Sequence, residues 1–232
     1  MEKHAEHRTL VKALLALLLL AAAPARADCR LALSLGLDVS SSVDAREYRL
    51  QSAGLAAALV APEVQEAFLS DPAAPVSLQI FEWSGWAQQV VRQDWVTING
   101  PADLEAVALR LATQRRSFDQ YPTAVGFALL YGGQSLAQRT DCERRTLDLS
   151  GDGTNNDGVS PDLARRDHPL VGITVNGLAI GATRVTLARY YQQYDIQGPG
   201  AFVEMATDYA DFERALRRKL LRELGVVEVS TR

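Results

Sequence analysis

Segments with the pattern of buried strands alternate with segments of helical periodicity along most of this chain. We expect strands at residues 31–37, 76–83, 88–98, 145–149, 170–176 and 201–205. Ala- and Leu-rich or amphipathic helices should lie between them, the last covering residues 208–224. This alternation is typical of a mostly parallel sheet with helices on both faces. The sequence therefore predicts an α/β, doubly wound fold with a six-stranded sheet.

The second and third strands are separated by a connection too short for a helix. Ser84-Gly85 follows the strand at 76–83, and an alternating, β-rich segment begins at residue 88. A short connection of this kind indicates a hairpin, which places the third strand antiparallel at one edge of the sheet. In open α/β sheets, ligands bind beyond the carboxyl ends of the strands. We therefore look for functional residues after the first and fourth strands.

Residues 1–27 have the organisation of a secretory signal peptide. Basic residues come first, an unbroken Ala/Leu run covers residues 13–23, and Ala25-Arg26-Ala27 forms a small-x-small cleavage signature. The run is shorter than the roughly 20 apolar residues needed to cross a bilayer, although an uncleaved anchor helix is the alternative. We expect cleavage after Ala27 and one exported domain at residues 28–232. The periplasm or the extracellular space is the expected location.

Composition excludes several classes of protein. The chain is 47% hydrophobic, which argues against intrinsic disorder. Its 24 basic and 28 acidic residues give a net charge of −4, whereas nucleic-acid-binding domains usually have a basic excess. No second apolar stretch is long enough for a membrane span. We expect neither a nucleic-acid partner nor a membrane span after signal cleavage.

Side chains with hard oxygen atoms cluster where functional residues are expected. Three follow the first strand in the order D-x-S-x-S, one precedes a central helix, and one begins a D-G turn after the fourth strand. They are Asp38, Ser40, Ser42, Thr123 and Asp152. Oxygen ligands with two carboxylates suit Mg²⁺, or else Mn²⁺ or Ca²⁺, and an octahedral ion retains a position for an outside carboxylate. Helix caps and turns are the alternative interpretation of these residues.

This pattern resembles the metal-ion-dependent adhesion site of the von Willebrand factor A domain. The resemblance covers nearly all of residues 28–232 and implies the strand order 3-2-1-4-5-6, with the five residues holding a cation. The stretches at 38–51, 81–85 and 148–158 are similar to an uncharacterised bacterial family of secreted A-like proteins, a domain of unknown function. One departure concerns the loop before Thr123, where many A domains have glycines and this chain has Tyr121-Pro122.

Two cysteines, Cys29 and Cys142, remain after the signal segment. In an oxidising compartment such a pair suggests a disulfide, with two isolated thiols as the alternative. The strand order implied by the resemblance makes the first and fourth strands parallel neighbours. Both cysteines would then lie at the amino-terminal end of the sheet within bonding distance, so we expect a disulfide there.

Two functions follow from these expectations. The first is an exported binding module, without enzymatic activity, that recruits an acidic group of a protein partner through its cation. Trp83 and Trp86 in the hairpin, and Asn155 and Asn156 in the loop after the fourth strand, are candidate partner contacts, with packing of the hairpin and a solvated loop as the respective alternatives. The second is a metal-dependent hydrolase, for which Glu82 is a candidate base. An A-like domain with a vacant, purely structural site is a third interpretation.

Overall fold

The sheet has the expected strands and order. A computed structural model describes residues 29–168 and 170–226. Its strands are β1 (Cys29–Asp38), β2 (Val76–Trp83), β3 (Gln89–Ile98), β4 (Cys142–Gly151), β5 (Thr174–Ile180) and β6 (Val203–Ala206). They form one sheet in the order β3-β2-β1-β4-β5-β6. All neighbours pair in parallel except β2 and β3, which are antiparallel, so the predicted fold class is confirmed.

Helices connect the strands and cover both faces of the sheet. They are α1 (Ala45–Leu59), α2 (Pro62–Phe68), α3 (Pro101–Thr113), α4 (Val125–Ala137), α5 (Pro161–Asp167), α6 (Arg184–Tyr194) and α7 (Phe212–Glu223). A capping box starts α1, in which the Asp44 side chain accepts from the backbone of Glu47 and the Glu47 side chain accepts from the Asp44 backbone. This cap fixes where the chain leaves the loop after β1.

Apolar side chains form a separate core on each face. Leu33 and Leu35 of β1 point to one side, where the core is shared with α1, α2, α3 and α7. Ala32 of β1 and Leu147 of β4 point to the other side and pack against α4. Since successive residues of β1 are buried on opposite sides, this strand lies in the middle of a two-sided sheet.

Several strand and helix ends differ from the expected bounds by a few residues, and two larger differences are present. The helix α2 (Pro62–Phe68) was not expected, and it begins with Pro62 in the first turn, where a missing N–H carries no cost. The fifth strand is Thr174–Ile180 instead of 170–176. The apolar residues before Thr174 form a turn through Gly172, whose φ is +68°. Asn176-Gly177, which has the composition of a turn, lies inside the strand.

The disulfide between Cys29 and Cys142 is present, with the two Cα atoms 4.5 Å apart. These residues are paired in register at the first positions of β1 and β4. The bond therefore ties two central strands together at the amino-terminal end of the sheet, as expected. None of the helices in the described part of the chain has the length and apolar character needed to span a bilayer. The predicted signal peptide, residues 1–27, lies outside the described residues.

Candidate metal centre

Four of the five oxygen-bearing side chains form a chain of hydrogen bonds at the carboxyl end of the sheet. The Ser40 and Ser42 hydroxyl oxygens are 3.1 Å apart. Thr123 Oγ1 donates to Ser40 Oγ over 3.1 Å, and Ser42 Oγ donates to Asp152 Oδ1 over 2.6 Å. The end of β1, the end of β4 and the loop before α4 thus bring their side chains to one point.

Asp38, the last residue of β1, is the fifth member of this cluster. Its Oδ1 accepts a hydrogen bond of 2.8 Å from the Ser40 backbone, while its Oδ2 is buried and has no hydrogen-bond partner among the described residues. Burial raises the pKa of Asp38 to about 7, and repulsion from Asp152 adds to the rise. A buried carboxylate oxygen without a donor is costly by itself, and a cation would offset that cost.

The loop before α4 reaches the cluster without the glycines common in A domains. The Tyr121 carbonyl accepts hydrogen bonds from Ser41 N and Ser84 Oγ, and the Pro122 carbonyl accepts a second bond from Ser84 Oγ. Ala124 N donates to the Ser84 carbonyl. These bonds anchor the loop to the ends of β1 and β2, and Pro122 loses nothing because its missing N–H is not needed. Thr123 is consequently 3% exposed and faces Ser40.

Sequence reasoning missed three residues that shape the cluster. A Cβ atom at Gly151 would lie 2.9 Å from Asp38 Oδ2 and 2.7 Å from the Tyr191 hydroxyl, so only glycine fits there without displacement. Tyr191 is buried on α6, and Tyr209, before α7, has a buried hydroxyl without a partner among the described residues. Burial raises the pKa of both phenols, and the charges of Asp38 and Asp152 contribute. Both tyrosines lie far along the chain, and no local motif marks them.

The predicted partner contacts are not all at the surface. Trp83 is 0% exposed, because β2 is covered on both faces, and the expectation that it meets a partner is wrong. Trp86 is 62% exposed in the β2–β3 connection. Asn155 and Asn156 support the site from its side, since Asn155 Oδ1 accepts from Gly126 N at the start of α4 and Asn156 bonds to the Thr123 backbone.

Glu82, the candidate base of the hydrolase interpretation, has both carboxylate oxygens engaged. Tyr48 donates to Oε1 over 2.8 Å, and the Ser117 backbone donates to Oε2 over 2.9 Å. The carboxylate is 3.5 Å from Arg92. Glu82 therefore holds the segment after α3 in place.

A second arrangement of possible ligands lies at the opposite end of the sheet. In the described ranges, the one group of three His, Cys, Asp or Glu side chains close enough to share an ion is Cys29, Asp141 and Cys142. Its two sulfur atoms are joined in the disulfide, so it offers no thiolate. The hard-oxygen cluster is therefore the better candidate for a cation.

Comparisons with known proteins agree with this fold. The family described as "Protein of unknown function (DUF1194)" matches residues 28–228. No curated protein matches the chain.

Three solved structures illustrate the likeness in fold. Proximal thread matrix protein 1 from the mussel byssus, in a structure with a zinc-occupied adhesion-site motif, has a TM-score of 0.61 and 14% identity, covering 87% of this chain and 49% of its own. The pilus adhesin SpaC from Lactobacillus rhamnosus GG has a TM-score of 0.61 and 14% identity, and the match covers 84% of this chain and 30% of SpaC. A von Willebrand factor type A protein from Catenulispora acidiphila has a TM-score of 0.58 and 17% identity, and the match covers 85% of this chain and 43% of that protein. This chain spans less than half the length of each, and it has a von Willebrand factor A-like fold.

Proposed function

We propose that this chain, which belongs to the family of proteins of unknown function DUF1194, is a binding module that engages an acidic group of a protein partner through a divalent cation. The observation that carries the proposal is the hydrogen-bonded cluster of Ser40, Ser42, Thr123 and Asp152 next to Asp38, whose buried Oδ2 has no hydrogen-bond partner among the described residues. Helix caps and turns alone do not explain a buried, unpaired oxygen at this position.

The donor set favours Mg²⁺, with Mn²⁺ or Ca²⁺ as alternatives. Asp38 and Asp152 together balance the charge of one divalent ion, and the hydroxyls of Ser40, Ser42 and Thr123 add neutral oxygen ligands. The absence of His and Cys from this set disfavours zinc and copper. When bound, the cation supplies an open coordination position that accepts a carboxylate.

The surroundings of the cluster support binding of a protein. Trp86 is 62% exposed and Tyr121 is 42% exposed, and each is steadied by a second ring, Phe127 and Phe118 respectively. Exposed, positioned aromatic side chains are typical of protein interfaces. One protein that shares the fold, SpaC, is a pilus adhesin, which is consistent with the same use here.

We propose an exported location, in the periplasm or outside the cell. The disulfide indicates an oxidising compartment, and residues 1–27 have the organisation of a cleaved signal peptide, leaving residues 28–232 as the domain.

Relaxation of water protons by Mn²⁺ tests the open coordination position. Mn²⁺ bound by the protein should enhance relaxation, and a blocked peptide containing one glutamate should lower that enhancement by replacing coordinated water. The same peptide with glutamine is the matched control, and Asp38→Asn should show no protein-bound enhancement at all. Equal effects of the two peptides would contradict carboxylate recruitment. Hydrolysis of a nitrophenyl ester or phosphate that disappears in Asp38→Asn would instead support the hydrolase.

A further inference from the structure

A large cavity lies at the end of the sheet opposite the metal centre. Its volume is about 780 Å³, which is within the usual range for small-molecule sites. The start of β4, the turn before β5, the loop before β6 and the end of α7 form its walls. Amino-terminal ends of β4 and β5 meet here, whereas Asp38 and Asp152 lie at carboxyl ends. The cavity is therefore separate from the centre described above.

Three arginines line this cavity and lack a carboxylate partner. Arg144, Arg145 and Arg222 form no ion pair within the described ranges, and Arg144 donates only to the Glu223 backbone carbonyl over 3.4 Å. Glu143 and Glu223 are the two acids in the lining. Glu223 is already paired with buried Lys219 at 2.7 Å. The cavity consequently has an excess of unpaired positive charge.

Two of these guanidinium groups are held in place by the protein. Arg222 stacks over the Phe202 ring, with the guanidinium carbon 3.8 Å from the ring centroid. Arg145 Nη2 donates to the Val171 carbonyl over 3.3 Å. The same nitrogen would be 2.8 Å from a Cβ at Gly172, so the glycine makes room for it. Groups positioned in advance lose less entropy when they bind an anion.

One acid in the cavity lining, Glu223, has an unpaired acceptor. Glu223 is 5% exposed, and its Oε1 accepts hydrogen bonds from Lys219 and from Asn176. Its Oε2 is buried and has no hydrogen-bond partner among the described residues. Buried acceptors are nearly always paired in folded proteins, so an unpaired one beside a cavity points to a donor supplied by a ligand.

From these observations we infer that the cavity is a binding site for a small organic anion. A carboxylate or phosphate of the ligand contacts Arg145 and Arg222, and a hydroxyl or amino group lies on the Glu223 side. The volume favours an organic anion over inorganic phosphate, which would leave most of the space unfilled. The site functions independently of the cation at Asp38.

Calorimetry of the whole protein in metal-free buffer tests this site with citrate, glucose 6-phosphate and inorganic phosphate as probes. We expect one organic anion to bind with a stoichiometry of one, and inorganic phosphate to bind more weakly. Citrate and the sugar phosphate separate a carboxylate ligand from a phosphate ligand. Arg145→Gln and Arg222→Gln should each weaken binding about tenfold. Thermal unfolding of each variant checks that the fold is retained.

Two controls make the result specific. Arg166→Gln removes an exposed arginine that is paired with Asp167 on α5, and it should leave anion binding unchanged. Asp38→Asn alters the opposite end of the sheet and should also leave it unchanged. The inference is overturned if none of the probes binds at up to about 10 mM, or if Arg166→Gln weakens binding as much as Arg145→Gln does.

Discussion

Thr123 and Asn156 are joined by two hydrogen bonds that run in opposite directions. Thr123 N donates to Asn156 Oδ1 over 2.8 Å, and Asn156 N donates to the Thr123 carbonyl over 2.9 Å. The first bond uses the side chain of Asn156 and the second uses its backbone. This pairing joins the loop before α4 to the loop after β4, which carries Asp152. It fixes a threonine that the sequence left uncertain, because Pro122 replaces the expected glycine.

Asn156→Ala should therefore weaken cation binding without unfolding the protein. Loss of the Oδ1 acceptor frees the Thr123 backbone, and groups that orient metal ligands typically contribute 10- to 100-fold to affinity. We expect a loss of about tenfold, measured by calorimetric titration with Mn²⁺. Asn99→Ala, at an exposed turn, is the matched control and should bind as the wild type does. Equal affinity of Asn156→Ala and wild type would show that this pairing does not position Thr123.

Gly151→Ala and Gly153→Ala form a second matched pair. A Cβ at Gly151 would be 2.9 Å from Asp38 Oδ2, whereas a Cβ at Gly153 would make ordinary contact with Thr123 Oγ1 at 3.5 Å. Overpacking typically costs about 1–3 kcal/mol, so Gly151→Ala should lower Mn²⁺ affinity at least about fivefold. Gly153→Ala should stay within about twofold of wild type. If both variants bind equally well, Asp38 is not confined as the structure indicates.

Removal of the disulfide should affect stability and leave the metal centre intact. Replacing both Cys29 and Cys142 by serine opens a link between positions 113 residues apart. The free energy of unfolding should fall by about 2–5 kcal/mol, as measured by denaturant titration. Mn²⁺ affinity should be unchanged, since the bond lies at the opposite end of the sheet. Wild-type protein in reductant is the control, and its free energy of unfolding should match that of the variant.

Asp195, at the end of α6, should make stability depend on pH. Burial raises its pKa to about 8, with Arg165 opposing the rise and Asp162 adding to it, and neither carboxylate oxygen has a hydrogen-bond partner among the described residues. An unfolded aspartate has a pKa of about 3.9. Between these values the folded state holds a proton that the unfolded state has lost, so stability falls as pH rises from about 4 to 8.

Asp195→Asn should reduce that dependence, because the amide carries no charge at any pH, whereas buried Asp38, whose pKa is also raised to about 7, keeps its own contribution. Denaturant titrations at pH 5 and pH 9 measure the difference in unfolding free energy for each protein. Asp119→Asn removes an exposed carboxylate and controls for the change in net charge. A difference in Asp195→Asn as large as that of the wild type would assign the whole pH dependence to other groups.

The sheet and the five oxygen-bearing residues were predictable because their signals are local. The strand at 31–37 is apolar almost throughout, and Asp38, Ser40 and Ser42 follow it directly. Parallel strands place such residues at one edge of the sheet whatever the details of packing. The order of strands then followed from the resemblance to A domains.

Features set by distant contacts could not be read from the sequence. Tyr191 packs directly against Gly177 in β5, where a Cβ would be only 2.7 Å from the tyrosine ring, so a glycine is needed inside the strand. The neighbouring Asn176 side chain donates to Glu223 on α7. Asn176-Gly177 has the composition of a turn, and the contacts that place it inside a strand come from residues distant in the sequence. Trp83 also appeared accessible beside the hairpin, and only the helices on both faces of β2 make it buried.

Titration of metal-free protein with Mg²⁺ and Mn²⁺ in a calorimeter tests the central proposal most directly. We predict one cation per chain, with the heat of binding abolished in Asp38→Asn and in Asp152→Asn. Asp44→Asn removes a nearby exposed carboxylate and preserves the cap of α1, so it should bind like the wild type. Undiminished heat in Asp38→Asn would contradict the assignment of this cluster as a metal centre.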